Sequence, residues 1–219
     1  MEHHTDQTNS LANLRRLLAA KNCPVHDSVL QFEQEYGGLL VPNAGYPNWL
    51  NDGEYKVVGS YACLQRGETA RGGPSQASLG LVPIVSTSND NVYFLDQRGR
   101  GWFHDTVADA DAVQVTASGD TIMAGLVLYA MLSSVQVQSE AGAHGARLAG
   151  HLGVAPIPIA SGRLDRWWGS PDLLVSESPC EMEAWHLDPE AAAEAPRKTT
   201  VCALSLAGEL AIKHHYGTG

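Results

Sequence analysis

Nine histidines, four cysteines and 24 carboxylates are the side chains with which this chain could do chemistry. Their spacing narrows what that chemistry is. His104 and Asp105 are adjacent, a base beside an acid, and a serine brought up by the fold would complete a hydrolytic triad; no partner stands near them in sequence. His144 and His151 are seven apart, which two helical turns would align for a metal, but Gly145, Gly150 and Gly153 weaken a helix there. His214 and His215 are neighbours and on a strand would point to opposite faces. Cys23, Cys63, Cys180 and Cys202 form no C-x-x-C pair, so neither a zinc finger nor a redox motif is present, and each reads as a small reduced apolar side chain. There is no G-x-S-x-G elbow, no G-x-x-x-x-G-K and no H-E-x-x-H. The Arg98–Gly101 run, RGRG, lies between two candidate strands and reads as a hairpin turn. No catalytic, cofactor-binding or metal-binding residue is therefore expected. Aromatic residues among charges remain. Trp49 shares the loop GYPNWLNDGEY with Asp52 and Glu54, and Trp167–Trp168 sit beside Asp165 and Arg166. Binding hot spots favour tryptophan, tyrosine and arginine. Trp102 and Trp168 are assigned to the core.

Composition sets the class. A chain of 219 residues suits one large domain, or one domain with an extension. Apolar residues make up 44 % and charged residues 17 %, which predicts a folded core. The formal charge of -10 repels nucleic acid and anionic membrane surfaces and attracts a basic partner. The opening MEHHTDQTNS lacks a basic lead and an apolar run, so a cleaved signal is not expected and the cytoplasm is the expected compartment. Ile122 to Leu132, the longest apolar stretch, is far short of the ~20 residues that span a bilayer.

The elements that must position these residues are legible in part. Residues 1–10 are expected to be frayed. Leu11, Leu14, Leu17 and Leu18 recur at helical spacing, and Pro24 is read as ending that helix. A second helix carries Val29, Phe32, Glu33 and Tyr36 on one face, with Asp27 or Ser28 as cap. Gly37 and Gly38 supply its left-handed stop. Tyr55–Val58 and Tyr61–Leu64 read as strands, and Thr69–Ser78 as a mobile loop. Strands at 79–86, 92–96 and 101–105, joined by turns at 88–91 and 97–100, form an antiparallel meander. A helix at 120–133 is expected to cover it. Further on come a short helix within 138–150, then strands at 172–177, 182–187, 199–206 and 209–216, the last two joined around Ala207–Gly208. Val92-x-x-Leu95-x-x-x-Gly99 is echoed by Val201-x-x-Leu204-x-x-x-Gly208, a spacing that many hairpins share.

The order of these features resembles the SUKH superfamily, which includes a yeast cell-wall regulator and many bacterial immunity proteins. Pro24, Phe32, Tyr36, Gly37, Gly38, Val82–Pro83–Ile84, Asn89–Asp90, Tyr93–Phe94–Leu95–Asp96 and Gly99 carry the match, across about residues 11–135. The resemblance implies an α+β domain, a bent, mostly antiparallel sheet packed against helices; residues 136–219 have no counterpart in it and are expected to be a β-rich C-terminal extension packed on the same domain, either an elaboration of the same sheet or a separate addition. It also implies a partner: a cognate toxin of a polymorphic toxin system of bacterial competition, often a nuclease or deaminase, neutralised by binding in the producing cell. The acidic charge fits a stoichiometric inhibitor that occludes a basic active site. On that reading Trp49, Asp52, Glu54, Asp90, Asp105 and Trp167 form the contact. The alternatives are a regulatory adaptor with another partner, and a small hydrolase built on His104 and Asp105.

Overall fold

A computed structural model describes residues 11–42, 55–68, 79–86, 91–105, 112–132, 137–142, 144–163, 165–179 and 196–217. Helix α1 (Leu11–Ala20) buries Leu14 and Leu18. Its stop is not Pro24 but Asn22, which takes φ 54°, while the amides of Asn22 and Cys23 return to the carbonyls of Ala19 and Leu18. That is the 5→2 and 6→1 pairing of a left-handed helix end, with asparagine in the usual place of glycine. Helix α2 (Asp27–Tyr36) starts at His26 with no side-chain cap. The expected caps are otherwise engaged or placed: Ser28 donates to the Asp96 carbonyl at 3.0 Å, and Asp27 lies in the first turn. At the far end Gly38 adopts φ 82° and donates its amide to Val58 at 2.9 Å. One glycine thus ends the helix and starts the sheet.

Beyond it, strand β1 (Leu40–Pro42) pairs antiparallel with β2 (Tyr55–Val57). The expected strand at Tyr61–Leu64 is instead helix α3 (Ser60–Gln65). A short buried apolar run has no periodicity that separates strand from helix, and the deciding group lies far away. Glu33 Oε2 accepts the Ser60 amide at 2.6 Å and, at the limit of a hydrogen bond, the Tyr61 amide at 3.4 Å. Gly59 at φ 118° turns the chain into that position.

The meander follows as expected and gains a strand: β3 (Val82–Ser86), β4 (Asn91–Leu95), β5 (Gly101–Asp105) and β6 (Val113–Thr116), each pairing antiparallel with the next. Alternation sends Leu95 and Tyr93 into one apolar cluster with Leu14, Leu18, Phe32, Ile84 and Ile122. Val92 and Phe94 go into another with Leu81, Ala112 and Trp102. Helix α4 (Gly119–Leu132) brings Ile122 and Met123 to the first of these. Its starting glycine is set against Phe32: a Cβ there would lie 2.7 Å from the ring.

Two compact units divide the chain, residues 1–126 and 127–219. The division falls inside α4 rather than at residue 135. In the second unit the expected β-rich part forms its own five-stranded sheet, ordered β7 (Val137–Ala141), β11 (Arg197–Ala203), β10 (Leu173–Pro179), β9 (Arg166–Gly169), β8 (Ala155–Pro156). All its pairings are antiparallel. Helix α5 (Gly145–Leu152) forms despite its glycines. Gly145 is needed, because a Cβ would lie 2.7 Å from the Trp168 ring. The expected strand at 209–216, with its hairpin, is helix α6 (Leu206–Tyr216). Ser205 caps it, accepting the Gly208 amide at 3.2 Å and donating to Asp172 Oδ1. The two echoed glycines therefore differ: Gly99 makes a turn at φ 76°, whereas Gly208 sits in a helix against the Asp172 carbonyl. The expected strand at 182–187, the loop at 69–78 and the frayed residues 1–10 lie outside the described residues.

Candidate functional site

Of the six residues expected to meet a partner, Trp49, Asp52, Glu54 and Asp90 lie outside the described residues. Asp105 is the last residue of β5, paired in register with Asn91, the chain neighbour of Asp90. Trp167 is a correction. Its side chain is 1 % exposed and meets Tyr129 edge-on, ring centres 4.8 Å apart, so a partner has no access to it. Strand alternation explains this: Trp167 and Trp168 point to opposite faces of β9, and both faces are covered.

Four carboxylates form the sharpest polar arrangements, and each holds structure. Asp96 is buried at the β4–β5 turn. It accepts the amides of Arg98 and Arg100, each at 2.9 Å, the Arg100 Nε at 2.7 Å and the Trp102 indole at 3.1 Å. Burial alone would raise its pKa, yet these donors together hold it below the ordinary aspartate value. Arg100 also lies over the Trp102 ring, 5.6 Å from its centre. The sequence RGRG is thus a turn wound around Asp96.

Glu33, 3 % exposed, has the opposite shift. Burial pushes its carboxyl up to about 7, against the lowering effect of the Tyr61 and Ser60 amides. Oε1, facing away from those amides, is buried without a hydrogen-bond partner. In the second unit Glu177 repeats the arrangement at α5, its Oε2 accepting the Gly145 amide at 3.0 Å. Arg197 Nε lies 2.9 Å from Oε1 and Arg166 Nη1 3.5 Å. The Arg197 approach is off the hydrogen-bond direction, so the attraction there is between charges. Asp165 accepts from the Tyr129 hydroxyl at 2.7 Å; burial raises it to about 6 despite that bond and the Arg197 charge.

His104 is 4 % exposed and stacks edge-on toward Phe94, so its ring does not face solvent. His144 precedes α5 and packs its ring against Gly142, while His151 is in the last turn of that helix. Among the described residues no three of histidine, cysteine, aspartate or glutamate are grouped to hold a metal. The described cysteines, Cys23, Cys63 and Cys202, are free thiols. No helix among the described residues is long and apolar enough to cross a membrane.

Sequence reasoning missed one exposed feature. Leu206 and Leu210, one turn apart on α6, are 71 % and 59 % exposed; read as a strand, that segment gave no such pair. Two leucines alone are ordinary surface. No protein-family model, curated protein or solved structure matches the chain. The α+β architecture stands on the elements themselves.

Proposed function

We propose that this chain is an immunity protein that binds a cognate toxin domain, basic in charge, and neutralises it in the producing cell by stoichiometric occlusion of its active site. One observation carries the reading, the SUKH-like run of residues 11–135, several of whose described matching residues serve as framework in the first unit. Phe32 lies in the core, Gly38 ends α2, Asp96 and Gly99 make the β4–β5 turn, and Val82 and Ile84 are buried in β3. Such a framework leaves binding to its loops. The contact is proposed on Trp49, Asp52, Glu54, Asp90 and Asp105. The charge of -10 supports an anionic surface that steers itself onto a basic target. A nuclease or deaminase domain has the charge and the cleft that such a surface fits.

Co-expression with the toxin domain that this reading expects an adjacent gene to encode is the direct test. Cells are expected to survive only when both proteins are made, and the purified pair to form a 1:1 complex without toxin activity. Association is expected to slow as salt rises, because the screening length falls from ~10 Å at 0.1 M to ~3 Å at 1 M. Reversing Asp52 and Glu54 should slow association further, whereas Trp49→Ala should mainly speed dissociation. Inactivation of excess toxin by trace amounts of this protein would replace inhibition by enzymatic turnover. Survival unaffected by the protein, with a different cellular protein bound instead, would leave the adaptor reading.

A further inference from the structure

In the second unit two helices end side by side. His151 lies in the last turn of α5 and His215 in the last turn of α6. Both side chains are exposed, yet their ring centres are only 5.9 Å apart, with planes inclined by 37°. Tyr216 stands edge-on to His215, centres 4.9 Å apart at 88°, which restricts where that imidazole can swing. The two helices share one apolar cluster on the sheet through Leu148, Ala149 and Ile212, so the approach of the rings is set by the packing of the unit.

We propose that His151 and His215 form a two-imidazole site for a borderline divalent transition-metal ion such as Ni2+, Cu2+ or Zn2+, with water completing its shell. A metal–nitrogen bond of about 2.0–2.1 Å sets each ring centre roughly 3 Å from the ion, and two rings on one ion about 5–6 Å apart. The observed spacing lies in that range. Rotation about χ2, a torsion broad for histidine, brings a nitrogen of each ring to the ion, His215 turning within the room that Tyr216 leaves it. Imidazole suits these ions, whereas Mg2+ and Ca2+ demand oxygen ligands. Each helix C-terminus adds a partial negative charge of about half a unit. Lys213, in the same last turn of α6, and Arg147, one turn before His151, oppose that field, so the bonds to nitrogen carry the affinity. No third side-chain ligand joins among the described residues, which leaves the outer positions to solvent. Bound metal fastens the end of α5 to the end of α6.

The test is titration of the full chain with Ni2+ in a non-chelating buffer, followed by calorimetry and by thermal unfolding, with Mg2+ as control. His3 and His4 are replaced by alanine throughout to remove a competing pair. One ion per chain and a raised melting temperature are expected, since a ligand held by the folded state stabilises it. His151→Ala and His215→Ala should each weaken binding about tenfold or more, at least what loss of an outer-shell partner costs, while His214→Ala leaves it within about twofold on the same scale. Far-ultraviolet circular dichroism without metal checks that each variant is folded, and His151→Gln and His215→Gln replace any alanine variant that is not. Absence of Ni2+ binding, equal binding of Mg2+, or binding that survives loss of both His151 and His215 overturns the proposal.

Discussion

Glu33 shows how one side chain can join two distant stretches and make stability depend on pH. Its carboxyl is raised from 4.5 to about 7 by burial. Between those values the folded chain keeps a proton that the unfolded chain has released, so folding is favoured at the acid end and stability falls as pH rises through the window. The loss amounts to at most about 3 kcal/mol. Asp165, raised from 3.8 to about 6, acts in the same direction at lower pH. Glu33→Gln keeps an oxygen for the Ser60 amide but cannot ionise, and it places its NH2 where Oε1 has no partner. This variant is expected to be less stable than the parent at pH 5 and to close or reverse that deficit by pH 8. Urea unfolding at pH 5, 6, 7 and 8 measures it; parallel curves would mean that Glu33 is ionised in the folded chain. Periodicity placed Glu33 on the inward face of α2, but its task was not legible, because the amides it caps are 27 and 28 residues away.

At the scale of elements, the readings that held rest on strong local signals, and those that failed rest on remote, weak or competing ones. The two N-terminal helices, the Gly38 stop and the meander all follow from apolar spacing and turn residues within a few positions. The segments of α3 and α6 both read as strands; α3 is capped by the distant Glu33, whereas α6 has a local cap, Ser205, which is itself held by the distant Asp172. A serine before a Leu-Ala-Gly-Glu run is a helix-start signal in itself, and it was overridden by the β-like run Thr199–Leu206. Strand β6 was missed because four residues alternating between buried and half-buried carry little pattern. Nor did the sequence reveal that Trp167 is enclosed, since side-chain direction on β9 depends on strand register. The α6 cap gives a direct check. Ser205→Ala is expected to lower stability by about 1 kcal/mol, the usual cost of a lost helix cap, read as a lower urea midpoint with unchanged slope. An unchanged midpoint would mean that Asp172 positions α6 without the serine.

At the scale of the molecule, the two sheets differ in the order in which their strands come together. In the first unit β3 to β6 pair in sequence order, so each pairing closes as soon as the next strand exists. In the second, β7 leads the sheet but has only β11 as its partner among the described strands, and Gln138 must wait for Val201. Loop closure over such a distance costs entropy before any contact repays it. Removing residues 197–219 is therefore expected to abolish amide-exchange protection throughout β7–β10 while protection in β3–β6 persists; protection retained in β10 would show that β9–β10 stands without β11. During synthesis the same topology becomes a matter of time. At about 5–20 residues per second, the span from Gln138 to Val201 takes roughly 3–13 s to make. Through that interval the ribosome holds a chain whose early meander can already be paired while β7 still lacks β11, the last of the described strands to be translated and the one that pairs with it.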